Sequence, residues 1–284
     1  GIYGFCYHYY WFNGKKIMDA PIHHMLQDKH LDLPFCISWA NEPWSARWDG
    51  SNNNVLIGQD PNINTDLFFA DILPFFQDPR YICVSGKPLF MVYSPVWFGW
   101  AVMSSFVERM RYLAKKNGLP DLHIVFGKTH SEAEDHNAAD CGIDAFVEFP
   151  PHRLRFAQIY DTIICNNKFK GSIFDFKKVL QAYKDEPLPE KLTYRTVFPM
   201  WDNTARRGKM NAWIFKGTSP ATYTDWLSYT INSTKKSHNQ ENNIVFINAW
   251  NEWAEGAHLE PDRKYGYAFL DATINALINA RIVK

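Results

Sequence analysis

No apolar run in the 284 residues approaches the ~20 needed to cross a bilayer, which excludes a hydrophobic membrane-spanning helix. An excess of either charge is also missing. Thirty Lys and Arg balance thirty Asp and Glu, so no overall field draws the protein to nucleic acid or to an anionic membrane. Cysteines are few and odd in number: Cys6, Cys36, Cys83, Cys141 and Cys165, none in C-x-x-C spacing. Scattered through apolar runs, they read as buried free thiols of a reducing compartment, which favours the cytoplasm slightly over the alternative of a secreted enzyme without its leader. The opening GIYGFCYHYYW has neither a basic leader nor a small-residue cleavage site, so it does not read as a signal peptide. No G-x-G-x-x-G follows a strand, and H-x-x-x-H, H-E-x-x-H, G-x-S-x-G and D-x-D are all lacking. A dinucleotide site, a metal centre, a serine nucleophile and a sugar-diphosphate site thus lose their usual signatures, and nothing calls for a cofactor.

Aromatic residues, in contrast, are abundant: 11 Trp, 14 Tyr and 21 Phe. A large core absorbs most of the Phe. Trp39, Trp44, Trp48, Trp201, Trp250 and Trp253 cluster at expected strand ends, where they suit a cleft that stacks flat apolar faces. Continuous apolar runs predict strands at Ile2–Tyr7, Pro34–Trp39, Pro88–Tyr93, Leu122–Gly127, Ala145–Phe149, Tyr194–Met200 and Ile244–Ala249. Helical stripes lie between them, on Phe106, Met110 and Leu113; on Phe176, Val179, Leu180 and Tyr183; and on Tyr223, Leu227, Tyr229 and Ile231. Ser219-Pro220 caps the third stripe, and Tyr267 to Ile278 carry a last one. Strand–helix alternation means an α/β protein with a parallel sheet, either open and doubly wound or closed as an eight-fold β/α (TIM) barrel. Polar and aromatic residues stand just after the strands, as they do around a barrel mouth, so the barrel is expected, as one domain over residues 1–284. The count reaches seven strands, which places the barrel's first strand before Gly1. Ser45–Thr65 and Asp202–Thr218 read as loops of the mouth. Oligomeric state is not legible, though an incomplete barrel would expose strand edges that invite association.

The most informative stretch is NAWNEWAEGAHLEPD, Asn248 to Asp262, directly after the last apolar run. Glu252 and Glu255 are close enough there to share a site and drive their pKa values apart by like-charge repulsion. Two carboxyl groups, one an acid and one a base or nucleophile, are what glycosidic cleavage commonly needs. On an ordinary helix face, E-x-x-E is merely a solvated pair, and Glu255 also fits a structural ion pair. Glu42, in SWANEPW (Ser38 to Trp44), faces the same mouth and makes Glu42 with Glu252 a rival catalytic pair. Glu148 is a third catalytic candidate that reads better as a hydrogen-bonding partner, and Asp202 and Asn203 read as grips for sugar hydroxyls. Arg206 and Arg207 read as solvated or paired, or as holding a carboxylate or acidic sugar. His8, His130, His152 and His258 also stand near strand ends.

NEWAEGAHLEPD resembles the N-E-W-x-E-G-x-x-x-E-P signature of glycoside hydrolase family 99, the retaining endo-α-mannosidases on an eight-fold β/α barrel. GIYGFCYHYYWFNGKK, FCISWANEPWSARWDG, VEFPPH, FPMWDNTARRG and INAWNEWAEGAHLEPD together are similar to the WbsX-type domain, a relative found with polysaccharide biosynthesis and often labelled a glycosyltransferase. The resemblance spans nearly the whole chain. It implies that Glu252 is the base that helps the sugar's own 2-hydroxyl attack the anomeric carbon, giving an anhydro-sugar, and that Glu255 is the general acid. It also implies an oligosaccharide or polysaccharide substrate, α-linked and mannose-like. Tyr7, His8, Trp39, Asn41, Glu42, Trp44, His130, Glu148, Trp201, Asp202, Asn203, Trp250, Asn251, Trp253 and His258 are then the expected substrate contacts. Two departures stand out. WbsX-type domains begin with a further strand and a Trp-Thr-type motif upstream of GIYGFC, and Ala254 replaces a histidine of the hydrolases. Transfer from an activated donor and glycan binding without turnover are the competing functions.

Overall fold

The computed structural model describes residues 3–46, 54–154 and 168–281. Trp48 and Cys165 lie outside the described residues. Seven parallel strands carry the fold: β1 (Phe5–Phe12), β2 (Phe35–Trp39), β3 (Lys87–Val92), β4 (His123–Gly127), β5 (Ala145–Val147), β6 (Thr193–Val197) and β7 (Val245–Ile247). Each pairs with its predecessor in sequence, so the order β1 to β7 never reverses. A doubly wound sheet has a reversal where its helices change face, and this one has none. The sheet instead curls. The Phe5 ring of β1 meets Trp250, just after β7, edge to face at 5.7 Å. No hydrogen-bonded pair joins β7 to β1 among the described residues.

Strands such as β2 are apolar throughout because both faces are covered; all five of its residues are buried. Helix α1 (Ala20–Gln27) follows β1 and α4 (Asp135–Asp140) follows β4. On the outer face, Trp39 of β2 and Tyr9 and Trp11 of β1 pack on α2 (Thr65–Phe76) and α3 (Trp100–Lys116), through Phe68, Phe75 and Phe106. Alternation then turns Cys6, His8, Tyr10 and Ser38 to the inner face. A second apolar cluster joins β6 to α5 (Phe176–Asp185), α7 (Pro220–Ser237) and α8 (Ala268–Asn279). The capping expectation for α7 is met: Ser219 accepts from the Thr222 backbone N–H, and Thr222 reciprocates.

Two sequence expectations are corrected. The first strand runs to Phe12 rather than ending at Tyr7, because its aromatic residues fill both faces of the sheet. The stretch read as a loop after Asp202 holds α6 (Thr204–Asn211) and a short strand, Trp213–Lys216, parallel to Ser172–Asp175. Both form because Asn203 ties the start of α6 back to that strand, donating from its backbone to Trp213 O (3.2 Å) and accepting at Oδ1 from Trp213 N–H (2.7 Å).

Candidate active site

The carboxyl end of β7 leads into a tight hairpin. Asn251 and Glu252 pair with His258 and Ala257, and the turn between is a single 3-10 helix, Trp253–Glu255. Gly256 closes that turn at φ +60°, where a side chain is strained. It also has no room for one: a Cβ there would stand 2.8 Å from Asp202 O. That close approach lets Asp202 N–H donate to Glu255 O at 2.9 Å. The turn bearing Glu255 is thus indexed against the start of α6, which carries Arg206.

Arg206 brings the two glutamates together. Its Nη2 donates to Glu252 Oε1 at 2.8 Å and its Nη1 lies 3.1 Å from Glu255 Oε1, one nitrogen for each carboxylate. Burial raises Glu255 above the ordinary carboxylate range; Arg206 pulls it down and Glu252 pushes it up again. From the other edge of the sheet, which curls toward β7, β1 contributes Tyr10. Its phenol is pushed up to about 12, first by burial and then by the charge of Glu252, with Glu42 adding a smaller push. Tyr10 also meets the edge of Trp44 at 4.9 Å. Strand ends β1, β2, β6 and β7 therefore converge on one cluster of Glu252, Glu255, Arg206, Tyr10, Glu42 and Trp44. Below it, His8 faces inward among Tyr10, Tyr93 and Phe149, and desolvation lowers its pKa to about 4, so the imidazole is neutral at pH 7.

Other expected contacts are occupied elsewhere. Tyr7 points outward and its hydroxyl donates to Met18 O at 2.5 Å. Trp39 is fully buried on the outer face, its Nε1 donating to Trp11 O at 3.2 Å. Asn41 spends both ends of its amide on the backbone of Ser94, at 2.7 Å each. His130 is buried against Asp135 (3.1 Å) and the Trp100 ring. Glu148 turns to the helix side and pairs with Arg195 at 2.7 Å. Trp201 is buried beside Phe198. Near the pair, Asp202 accepts from Thr204 N–H and Oγ–H at one carboxylate oxygen. In the hairpin, Trp250 is half-buried and the exposed Asn251 shares a face with His258, opposite to Glu252 and Ala257. Trp253 lies flat on His258 at 3.7 Å, its Nε1 donating to Glu260, while His258 Nε2 meets Asp262 at 3.1 Å. Sequence reading missed Tyr10. The only signal was its parity with His8 on one strand.

The placement of Trp39 has a measurable consequence. Trp39→Ala should destabilise the fold by about 3–5 kcal/mol, read by chemical denaturation, while KM stays unchanged below the unfolding transition. A selective rise in KM with intact stability would place this ring in the cleft instead.

Two recesses elsewhere, of about 320 Å³ beside Arg195 and His238 and about 190 Å³ beside Glu148 and Arg153, include neither glutamate. Among the described residues, no group of three or more His, Cys, Asp or Glu could hold a metal ion, and no helix is long and apolar enough to cross a membrane.

The geometry can be set beside known proteins. The chain is 37% identical over 282 residues to the uncharacterized protein WxcX in two strains of Xanthomonas campestris pv. campestris, covering 99% of this chain. It spans 40% of the length of those relatives. Among solved structures, the GH99 endo-α-mannosidase from Bacteroides thetaiotaomicron matches with a TM-score of 0.56 at 17% identity, over 96% of this chain and 73% of that one. A glycoside hydrolase-like protein matches with a TM-score of 0.57 at 13% identity, over 92% of this chain and 74% of the other. At such identities the likeness speaks for the fold, a curled α/β architecture of the TIM-barrel kind. A family model described as Glycosyltransferase WbsX matches residues 1–273. The chain therefore belongs to the WbsX family.

Proposed function

We propose that the chain is a retaining glycoside hydrolase acting on an α-linked, mannose-like glycan or a bacterial polysaccharide, as one catalytic domain whose sheet belongs to an eight-fold β/α barrel. The observation that carries this reading is the single guanidinium shared by Glu252 and Glu255. It holds two carboxyl groups of unlike environment at one mouth, with Glu255 favoured in its protonated form by burial. An acid and a base with separated pKa values are the requirement for cleaving an acetal.

In the reaction that the family 99 resemblance implies, Glu252 takes the proton of the sugar's 2-hydroxyl as that oxygen attacks C1. Glu255 gives its proton to the departing glycosidic oxygen, and a 1,2-anhydro-sugar forms. Glu255, now ionised, takes a proton from water as the water attacks C1; the ring opens and Glu252 returns the proton to the 2-oxygen. Two inversions at C1 leave its configuration retained. The likeness in fold to a GH99 endo-α-mannosidase supports the mannose-like substrate.

The family's description as a glycosyltransferase favours a second reading, in which an acceptor hydroxyl replaces water or an activated sugar is the donor. Incubation with α-mannan oligosaccharides, bacterial surface polysaccharides and nucleotide-sugars separates the two. Release of reducing sugar with the α configuration, followed by NMR, is expected. Consumption of nucleotide-sugars alone would establish the transferase, and tight glycan binding without any turnover would establish a lectin-like domain.

A further inference from the structure

Arg206 is over-determined for a surface cation. Its helix starts at Asn203, whose amide and backbone are both clamped to Trp213, and Asp202 ties the same start to Glu255 O. Arg206 N–H and Arg207 N–H donate to Asn203 O at 3.1 and 2.8 Å, so the first turn of α6 has its backbone fixed. The side chain is about one-third exposed, yet both ends of its fork are taken.

A guanidinium carries only donors, in a rigid plane, and stays charged. A carboxyl oxygen facing it accepts; it does not hold a proton in that direction. When Glu255 is protonated, the proton sits on the oxygen turned away from Arg206. Glu252 in turn keeps its second oxygen as the one with lone pairs open to a substrate hydroxyl. The cation also offsets the repulsion between two carboxylates at one mouth, and Arg207 adds to the local positive field.

We propose that Arg206 is a positioning residue that, by occupying one oxygen of each glutamate, assigns the free oxygen of Glu255 to proton donation and that of Glu252 to proton acceptance. The assignment rests on the hydrolase reading given above. Arg206 itself need not touch the sugar.

Two readouts test it, one of which needs no substrate. In the full chain labelled at glutamate 13Cδ, with the Glu255 signal identified by its loss in Glu255→Gln, Arg206→Met should move the Glu255 titration to higher pH. The alkaline limb of kcat/KM on an α-mannan oligosaccharide should move with it. At the same time kcat should fall about 100-fold, the scale of a small misplacement of reacting groups. Arg206→Lys should restore the titration, because the charge returns, but not kcat, because one ammonium cannot fork between two carboxylates. An unmoved Glu255 titration in Arg206→Met overturns the proposal, as does full recovery of kcat in Arg206→Lys. If Arg206→Met fails to fold, the split between titration and kcat in Arg206→Lys decides the matter alone. Full turnover by both Glu252→Gln and Glu255→Gln would sink the hydrolase reading instead, and the titration would still report whether Arg206 controls Glu255.

Discussion

Glu255→Gln should lower kcat/KM by about 10²–10⁴-fold, the usual contribution of a general acid, on a glycoside whose leaving group is another sugar. On the 4-nitrophenyl α-glycoside of the same sugar the loss should be far smaller, since nitrophenolate departs without being protonated. Glu252→Gln should be impaired on both substrates, because a base acting at the 2-hydroxyl is needed whatever leaves from C1. This asymmetry distinguishes the two carboxyl groups by role rather than by mere importance. The pH dependence follows from the environment of Glu255, raised first by burial and then by the charge of Glu252, with Arg206 opposing. Its protonated form persists above the ordinary carboxylate range, so activity is present below the raised pKa and lost as pH rises through it. In Glu255→Gln that alkaline limb should vanish. Equal losses on both leaving groups would deny Glu255 the role of acid. Retention of the rival Glu42 pairing would be indicated if Glu42→Gln, and not Glu255→Gln, showed the leaving-group dependence.

The second large effect is on stability. Arg195→Met should destabilise the protein by about 3–5 kcal/mol, the scale of removing one partner from a buried ion pair. Arg195 is almost fully buried. Its Nε lies 2.7 Å from Glu148 Oε1 and 2.7 Å from the Tyr183 hydroxyl, and its guanidinium carbon stands 4.0 Å from the Tyr183 ring centroid. Glu148 Oε2 meanwhile accepts from Tyr183 OH at 3.1 Å and from Thr196 N–H at 3.2 Å. Without Arg195 the carboxylate is left in a half-buried seam with only neutral donors. Adding Glu148→Gln should recover a large share of the loss, since Gln keeps an acceptor for Tyr183 and Thr196 and removes the unpaired charge. Denaturant titration of the single and double variants reads both effects. A loss in Arg195→Met below about 1 kcal/mol, the value of an exposed pair, would show that solvent screens this pair.

Much of the architecture was legible along the chain because strands buried on both faces must be apolar without interruption. Phe35–Trp39 and His123–Gly127 stand close to where their apolar runs predicted. β1 was harder. Tyr-His-Tyr-Tyr-Trp, Tyr7 to Trp11, mixes aromatic and polar character on both faces, so neither an apolar run nor an alternation marks its end. Glu252 and Glu255 stood out as two carboxyl groups three residues apart after a strand, but the spacing left Glu42 as a rival. It is the resemblance to family 99 that implies a base in Glu252 and an acid in Glu255. Their partner was not legible. Two adjacent arginines after a strand look the same whether both are solvated or one of them, Arg206, holds a carboxylate 46 residues away. Glu148 read as a hydrogen-bonding partner, and it does accept from Tyr183 OH and Thr196 N–H, but its principal partner was not visible in the sequence. A strand-end glutamate resembles a ligand contact until Arg195, on the neighbouring strand, is seen to hold it.

Sequence by itself therefore determined where the seven parallel strands fall and offered Glu252, Glu255 and Glu42 as candidate carboxyl groups, because an apolar run and a strand-end glutamate depend on residues within a few positions of one another. Tertiary structure alone decided which charge each carboxyl group meets. Parallel neighbours bring together side chains from distant turns, and a one-residue change in register sends a side chain to the opposite face. Glu252 and Glu255 meet Arg206 at the mouth, while Glu148, also at a strand end, meets Arg195 on the side of the helices.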